Sequence, residues 1–405
     1  MAAARARVLA CALLAAAVGA PAAQPAAVAA PWARSCSSVD TAGDALAGID
    51  LAGRVLVYTG ADGSLASAST LELARANASL ILACRRASKC AAVLQSLASR
   101  SGTSAALEAE ALDLSSAASI RAFASRVTTR HKRIDVLVNS AGSYDTSPTE
   151  DGLVGAMQVN LLGPALLTEL LLPALRGHGR VVNVAAAAYG TRLAANTTAA
   201  DLAALCTSVD PRLNRTGGYF ALSKFLMVHH AVELARREPT VAAVALAPGV
   251  AFRLPDVPNW AKYAVMHFPY PDWVLQQFPA ELQKFIKVCS TNEARLRSCP
   301  ETQEQGAAVI VAAAAWPEVE SHSGVYLDFE TKQLPDGAPN VYGPWTQSDP
   351  TCMPRRPGAM DPRLRSDWYD EMLRLMGSGS STHHGPGARG ADSGRRGGSA
   401  HNFVV

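Results

Sequence analysis

The sequence predicts an α/β fold: a single doubly wound parallel sheet with helices on both faces. Three observations carry it. Short apolar runs recur along the chain, helix-length stretches separate them, and the runs are continuously apolar, as strands buried on both faces require. Right-handed crossovers then put the ligand crevice at the carboxyl ends of the strands.

The first run, Arg54–Tyr58, leads into Thr59-Gly60-Ala61-Asp62-Gly63 and a helical pattern from Thr70 to Ala76. A second strand is predicted over Leu80–Cys84. A third segment ends at Ala111-Leu112-Asp113-Leu114, and a fourth is Ile134–Asn139. A long helix over Leu153–Leu175 precedes strand Arg180–Val184, a helix from Phe220 to Arg237 and strand Val241–Leu246. The turns after Tyr58, Cys84, Val138, Val184 and Leu246 should converge on the crevice.

At 405 residues the chain exceeds an average domain, about 150 residues, and one domain with tails is the expected division. An apolar fraction of 49% against 18% charged excludes a wholly disordered chain. The net charge of +3, with no basic run interleaved with aromatics, speaks against a nucleic-acid partner.

Arg5 and Arg7 precede an apolar run from Val8 to Gly19 and a cleavage-like Ala20-Pro21-Ala22, so residues 1–34 read as a targeting segment for the secretory pathway. An organelle transit peptide and a membrane anchor over Val8–Ala33 are the alternatives. Sequons at Asn77, Asn196 and Asn214 suit glycosylation on that route. Seven of the eight cysteines would survive cleavage, and an odd number argues against a fully paired framework. Cys289 and Cys299 are the one candidate pair, while Cys84 and Cys90 are expected as unpaired, buried thiols at a strand end and in a helix. No metal-ligand spacing occurs. Residues 377–405 are expected to be disordered, since their Gly/Ser-rich stretch cannot bury enough surface to offset ordering entropy.

The ordered landmarks Thr59-Gly60, Leu82-Ala83-Cys84-Arg85, Leu112-Asp113-Leu114, Asn139-Ser140-Ala141-Gly142, Thr149-Glu150-Asp151-Gly152, Val159-Asn160, Ser223-Lys224 and Pro248-Gly249 resemble the short-chain dehydrogenase/reductase superfamily. Within it, the retinol-dehydrogenase-like and WW-domain-oxidoreductase-like group is the most similar. The resemblance covers roughly residues 50–330 and implies a Rossmann-type, dinucleotide-binding domain. Residues 331–376 then form a C-terminal extension.

For the cofactor, the resemblance implies contacts from Thr59, Gly60, Gly63, Leu65, Asn139, Ala141, Gly142, Lys224, Pro248 and Gly249, with Asp113 at the adenine edge. Asp113 also suits a helix N-cap role. Where the family has two further glycines, this chain has Ser64 and Ala66, with Asp62 nearby; each added Cβ crowds the helix against the phosphates. Arg85 stands where similar chains meet the adenosine 2′-phosphate, and no acid holds a 2′-hydroxyl, so NADP(H) is expected in preference to NAD.

For catalysis, Lys224 and Asn160 match the family pattern. The Tyr expected four residues before Lys224 is Phe220, and the Ser expected after strand Arg180–Val184 is Ala186. Phenylalanine has no proton to exchange. Tyr219 is one residue off, a rotation of about 100° on a helix. Loss of a positioned general acid costs about 10²- to 10⁴-fold, so turnover on a lipophilic alcohol or carbonyl should be strongly impaired. Arg253 also replaces a Thr that the family usually supplies.

Residues 254–300 are aromatic-rich and read either as a substrate-side cap over a lipophilic ligand or as ordinary packing, with a membrane-facing patch a third reading. A homodimer through 153–175 and 220–237 is what family habit suggests. Two further readings stay open: an active NADP(H)-dependent oxidoreductase that uses Tyr219 or water as proton donor, and a scaffold that no longer binds a dinucleotide.

Overall fold

The computed structural model describes residues 41–186, 193–194, 196–215, 217–248, 303–328 and 360–377. The targeting segment, the 254–300 segment, Gly249, Arg253, Cys289, Cys299 and residues 378–405 lie outside them.

Seven parallel strands form one sheet in the order β3-β2-β1-β4-β5-β6-β7. They are β1 Val55–Thr59, β2 Ser79–Cys84, β3 Leu107–Ala111, β4 Val136–Asn139, β5 Arg180–Val184, β6 Ala242–Ala247 and β7 Val325–Asp328. The described helices are α1 Ala42–Ala45, α2 Ser64–Arg75, α3 Ala87–Ser101, α4 Ala117–Arg130, α5 Gly155–Leu175, α6 Ala199–Thr207, α7 Pro211–Arg215, α8 Gly218–Arg237, α9 Gln303–Ala315 and α10 Pro362–Leu375.

Alternation along each strand feeds two cores, one per face. Val57, Ile81, Leu137, Val181 and Ala243 pack with α4, α5, α8 and α10. Leu56, Tyr58, Leu82, Val138, Val182 and Leu246 pack with α1, α2 and α9. With both faces covered, the central strands are apolar on both sides, which is what made them readable as continuous runs, whereas the edge strand β3 alternates with Glu108 and Glu110 and is only partly buried.

The strand order reverses between β1 and β4, so the crevice opens at the carboxyl ends of β1, β4 and their neighbours. β4 begins at Val136, two residues after the apolar run at Ile134. The Asp135 carboxylate accepts from the Val55 amide at 2.9 Å and from Arg54 at 3.1 Å, closing the bottom of the sheet. β3 ends at Ala111, before the Leu112–Leu114 segment, because the Asp113 carboxylate accepts from the Ser115 amide at 2.9 Å and turns the chain into α4.

Beyond the last predicted run come α9, which packs on the α1–α2 face, and two further elements. β7 extends the sheet past β6, and α10 lies across α5, α6 and α8, joining the core through Trp368, Tyr369 and Met372. At its heart the Glu233 carboxylate, fully buried, accepts from Arg236, Arg237 and Arg365. Tyr369 donates to Glu169 at 2.5 Å and stacks on His230.

The cysteine expectation is corrected. Cys84 and Cys90 do occupy the strand end and the helix, but they are joined in a disulfide with Cα atoms 5.5 Å apart. The end of β2 and the first turn of α3 lie side by side, within bridging reach. Cys206 is a free, buried thiol. Among the described residues one helix, α5, is long and apolar enough to cross a membrane; its most apolar stretch is 78% buried against the fold's own core.

Candidate active site

Thr59, at the end of β1, organises the crevice. Its hydroxyl donates to the Val138 carbonyl at 3.3 Å and accepts from the amides of Ser140 at 3.0 Å and Ala141 at 3.3 Å, fastening the 139–142 turn to β1. Gly60 adopts φ +67°, and a Cβ there would lie 2.8 Å from the Ala141 Cα, so only glycine lets the two turns meet. Gly63 is the N-cap of α2 and supplies no side-chain cap. Leu65 follows, half-buried in the first turn.

The two substituted glycine positions are absorbed without backbone strain. Ser64 and Ala66 are helical, neither has positive φ, and Ala66 packs in the core while Ser64 stays exposed. Asn139 faces inward: its amide donates to Asn183 at 3.0 Å and Thr168 at 3.3 Å, and its Oδ1 is buried without a partner. Asp113 sits in a local turn with Ser115 and Ser119, while Ser116 is the N-cap of α4, so the capping role falls three residues later than expected. Arg85 is exposed just past β2, and Pro248 is buried just past β6.

Asn160 lies in a π-helical stretch, Gln158–Leu162, inside α5. Such wide turns re-aim side chains at functional sites. Its Oδ1 accepts from the Ser143 amide at 2.7 Å, and its amide donates to the Ser143 carbonyl and the Ser223 hydroxyl, each at 2.9 Å. The Thr149–Asp151 landmark explains itself structurally. Thr149 and Asp151 both bond Gln158, and Asp151 also accepts from the Ala117 amide, so the loop braces α4 against α5.

Lys224 is buried on α8 and donates to the Val184 carbonyl at 2.7 Å. Burial lowers its pKa to about 8. A Cβ on Gly142 would stand 3.7 Å from both the Lys224 Nζ and the Asn160 Oδ1, an ordinary contact that places both groups beside the 139–142 turn.

Phe220 holds the place four residues before Lys224, its ring centroid 5.8 Å from Nζ. It stacks on Tyr144, centroids 4.1 Å apart. Ser223, whose hydroxyl donates to the Phe220 carbonyl at 2.8 Å, is already committed. Ala186 offers only its carbonyl, which accepts from Tyr326 at 3.2 Å.

Tyr219 is not brought to Lys224. Its hydroxyl donates to the Ser208 carbonyl at 3.0 Å and accepts from the Asp210 amide at 2.6 Å, and the ring is 1% exposed. The one-residue offset turns it into the α6–α7 connection, which corrects the reading that gave it the proton-donor role. Three residues at the site were missed in the sequence: Ser143, Tyr144 and the hydroxyl role of Ser223. Ser223 adjoins Lys224 in the chain, but no local pattern marks Tyr144.

A nicotinamide dinucleotide fits these residues. The N-terminus of α2 has no side-chain cap and can receive a pyrophosphate, glycine brings the two turns together at Gly60, and the Lys224 ammonium lies beside Gly142.

Residues 54–198 match the short chain dehydrogenase family. The chain is 40% identical over 142 residues to human (Homo sapiens) dehydrogenase/reductase SDR family member 13, covering 35% of this chain and 37% of that protein. It is 33% identical over 217 residues to retinol dehydrogenase 13 of Homo sapiens, covering 52% and 63%. A weaker match, 28% over 341 residues, reaches polyprenol dehydrogenase of Mus musculus and covers 82% and 87%. The first two alignments therefore span about a third and under two thirds of those relatives. In fold alone, an uncharacterized protein from Mycobacterium paratuberculosis superposes with TM-score 0.52 at 22% identity, over 82% of this chain and 97% of that one. Levodione reductase superposes with TM-score 0.50 at 19% identity, over 69% and 97%. Over residues 54–198 the chain is thus similar to short-chain dehydrogenases/reductases, and the relatives it matches include retinol dehydrogenases.

Proposed function

We propose that the chain binds NADP(H) in preference to NAD and that its inherited chemistry, oxidation or reduction of a lipophilic alcohol or carbonyl, is strongly impaired. One observation carries the second half: the ring nearest the Lys224 ammonium at the family's Tyr position belongs to Phe220. When bound, a nicotinamide supplies or accepts hydride. The residues present can hold the dinucleotide and place a cation beside it. At the two family positions, Phe220 and Ala186 can neither give nor take a proton at the carbonyl oxygen.

The preference for NADP(H) is supported by Arg85 and Arg86, both exposed past β2 with no acid in the first turn of α3. The test is titration of the full chain with NADPH and NADH by fluorescence, followed by turnover on a panel of lipophilic aldehydes. Saturable NADPH binding with turnover about 10²-fold or more below an ordinary enzyme supports the reading; turnover at ordinary rates overturns it.

The Tyr144–Phe220 stack favours one second reading, in which Tyr144 supplies the proton. Loss of residual turnover in Tyr144→Phe with NADPH affinity unchanged would support it. The Cys84–Cys90 disulfide and the exposure of Asn77, Asn196 and Asn214 support residence in an oxidising, secretory compartment. Pairing of two copies through α5 and α8 would have to accommodate α10, which lies on both helices.

A further inference from the structure

We propose that the Cys84–Cys90 disulfide is a specificity-determining element: by fixing the two-residue turn between β2 and α3, it presents Arg85 and Arg86 as a ready-made site for the 2′-phosphate of NADP(H). This rests on the dinucleotide reading above.

Cys84 is the last residue of β2 and Cys90 is the fourth of α3, and both are 1% exposed. Only Arg85 and Arg86 lie between strand and helix, and both are exposed. Arg86 is the N-cap, with extended backbone at φ −114° and ψ 121°, and its side chain caps nothing. Its carbonyl accepts from the amides of Lys89 at 2.9 Å and Cys90 at 3.1 Å, so the first turn of α3 is wound directly onto the bridge. Lys89 adds a third cation within the closed loop. Among the described residues neither guanidinium has a hydrogen bond or ion pair. The charge of Arg85 contributes to lowering the pKa of Asp145, which follows the 139–142 turn.

Two exposed cations on a two-residue turn adjoin an uncapped helix N-terminus, a combination that favours an anion. A loose turn would have to be ordered each time a phosphate bound; the bridge orders it in advance. A dinucleotide without the 2′-phosphate makes no use of this turn, so its affinity should not depend on the bridge. Opening the bridge needs a dithiol. Its thiolate attacks one sulfur to form a mixed disulfide, and its second thiol then closes the reagent's own disulfide. Two electrons and two protons pass to Cys84 and Cys90.

The experiment measures dissociation constants for NADPH, NADH, 2′,5′-ADP and 5′-AMP on the full oxidised chain, on Cys90→Ala, on Arg85→Ala and on the double variant. The same ligands are titrated against wild type opened with a dithiol, with bridge opening verified by thiol count. Opening the bridge should weaken NADPH and 2′,5′-ADP about three- to tenfold, the scale of ordering one or two long side chains, and leave NADH and 5′-AMP unchanged. Arg85→Ala should remove the same preference, and adding Cys90→Ala should then cost nothing more. An unchanged NADPH-to-NADH ratio in folded Cys90→Ala overturns the proposal, as does equal loss for both dinucleotides. Unfolding of both Cys90→Ala and the opened wild type overturns it too, since the bridge then holds the domain and not the turn. Wild type that binds NADPH and NADH equally refutes this proposal and the NADP(H) preference while leaving dinucleotide binding intact, whereas wild type that binds neither refutes the dinucleotide reading itself.

Discussion

Phe220 lies flat against Tyr144, ring centroids 4.1 Å apart and planes 14° from parallel. The ring four residues before Lys224 is thus firmly placed and lacks only a hydroxyl. Phe220→Tyr supplies that hydroxyl within reach of a cation whose pKa is already lowered to about 8 by burial. Combined with Ala186→Ser, it should raise carbonyl turnover about 10²-fold or more over wild type, with NADPH affinity unchanged. Steady-state kinetics on a lipophilic aldehyde checks it, and a double variant as slow as wild type would show that more than these two groups is missing.

Tyr219→Phe should leave any residual turnover untouched, because its hydroxyl is engaged with Ser208 and Asp210. It should lower stability by about 1–2 kcal/mol, since the Asp210 amide and Ser208 carbonyl lose their partner. Urea titration beside a turnover assay separates the two effects.

Glu233→Ala should be among the more damaging substitutions. It leaves Arg236, Arg237 and Arg365 facing a buried gap at the junction of α8 and α10. Removing one partner of a buried ionic cluster costs about 3–5 kcal/mol. Limited proteolysis should show early loss of α10, before the sheet is attacked.

Acid should weaken the fold in two successive windows. Burial lowers the pKa of His229 and of His230 to about 4. His229 has Phe225 and the Arg365 charge around it; His230 has Asn183 and the Tyr369 ring. A lowered histidine pKa means that the unfolded chain takes up protons first, so stability is full above about 6.5 and falls as pH drops toward 4, by up to about 1.4 kcal/mol per pH unit for each ring. For Glu233, burial alone would raise the pKa, but hydrogen bonds from the three arginines hold it at about 2. Its contribution is lost lower, as pH falls from about 4.5 toward 2. Urea midpoints at pH 7, 5.5 and 4.5 should decline, and His230→Phe should flatten the upper part of that decline.

The sheet was readable from sequence because its central strands are runs dominated by apolar, β-branched residues, as in Val55–Thr59 and, around Arg180 and Asn183, in Arg180–Val184. β7 escaped because four residues, Val-Tyr-Leu-Asp, carry too short a pattern, and α10 because its docking depends on an acid far away on α8. The turns at Thr59-Gly60 and Asn139–Gly142 and the position of Lys224 were legible only through the family resemblance; the positive φ at Gly60 is the physical reason that a glycine stands there. The Cys84–Cys90 bridge was not, since counting cysteines over the whole chain says nothing of which two a strand end and a helix turn set side by side. Tyr144 lies in an irregular segment where no periodicity aims a side chain, so only the fold shows that it meets Phe220.

The clasp of α10 on α8 also has a bearing on biosynthesis. Arg365 reaches Glu233 across 132 residues of chain, and Arg121 reaches the Met376 carbonyl across 255. Once β7 is complete at Asp328, a nascent chain therefore has every described strand of the sheet and an unclosed carboxylate until Arg365 follows 37 residues later. At a synthesis rate of about 5–20 residues per second that interval lasts several seconds. Chaperones that recognise an open helix face would meet it then, and a message truncated before codon 360 would yield a protein held permanently at that stage.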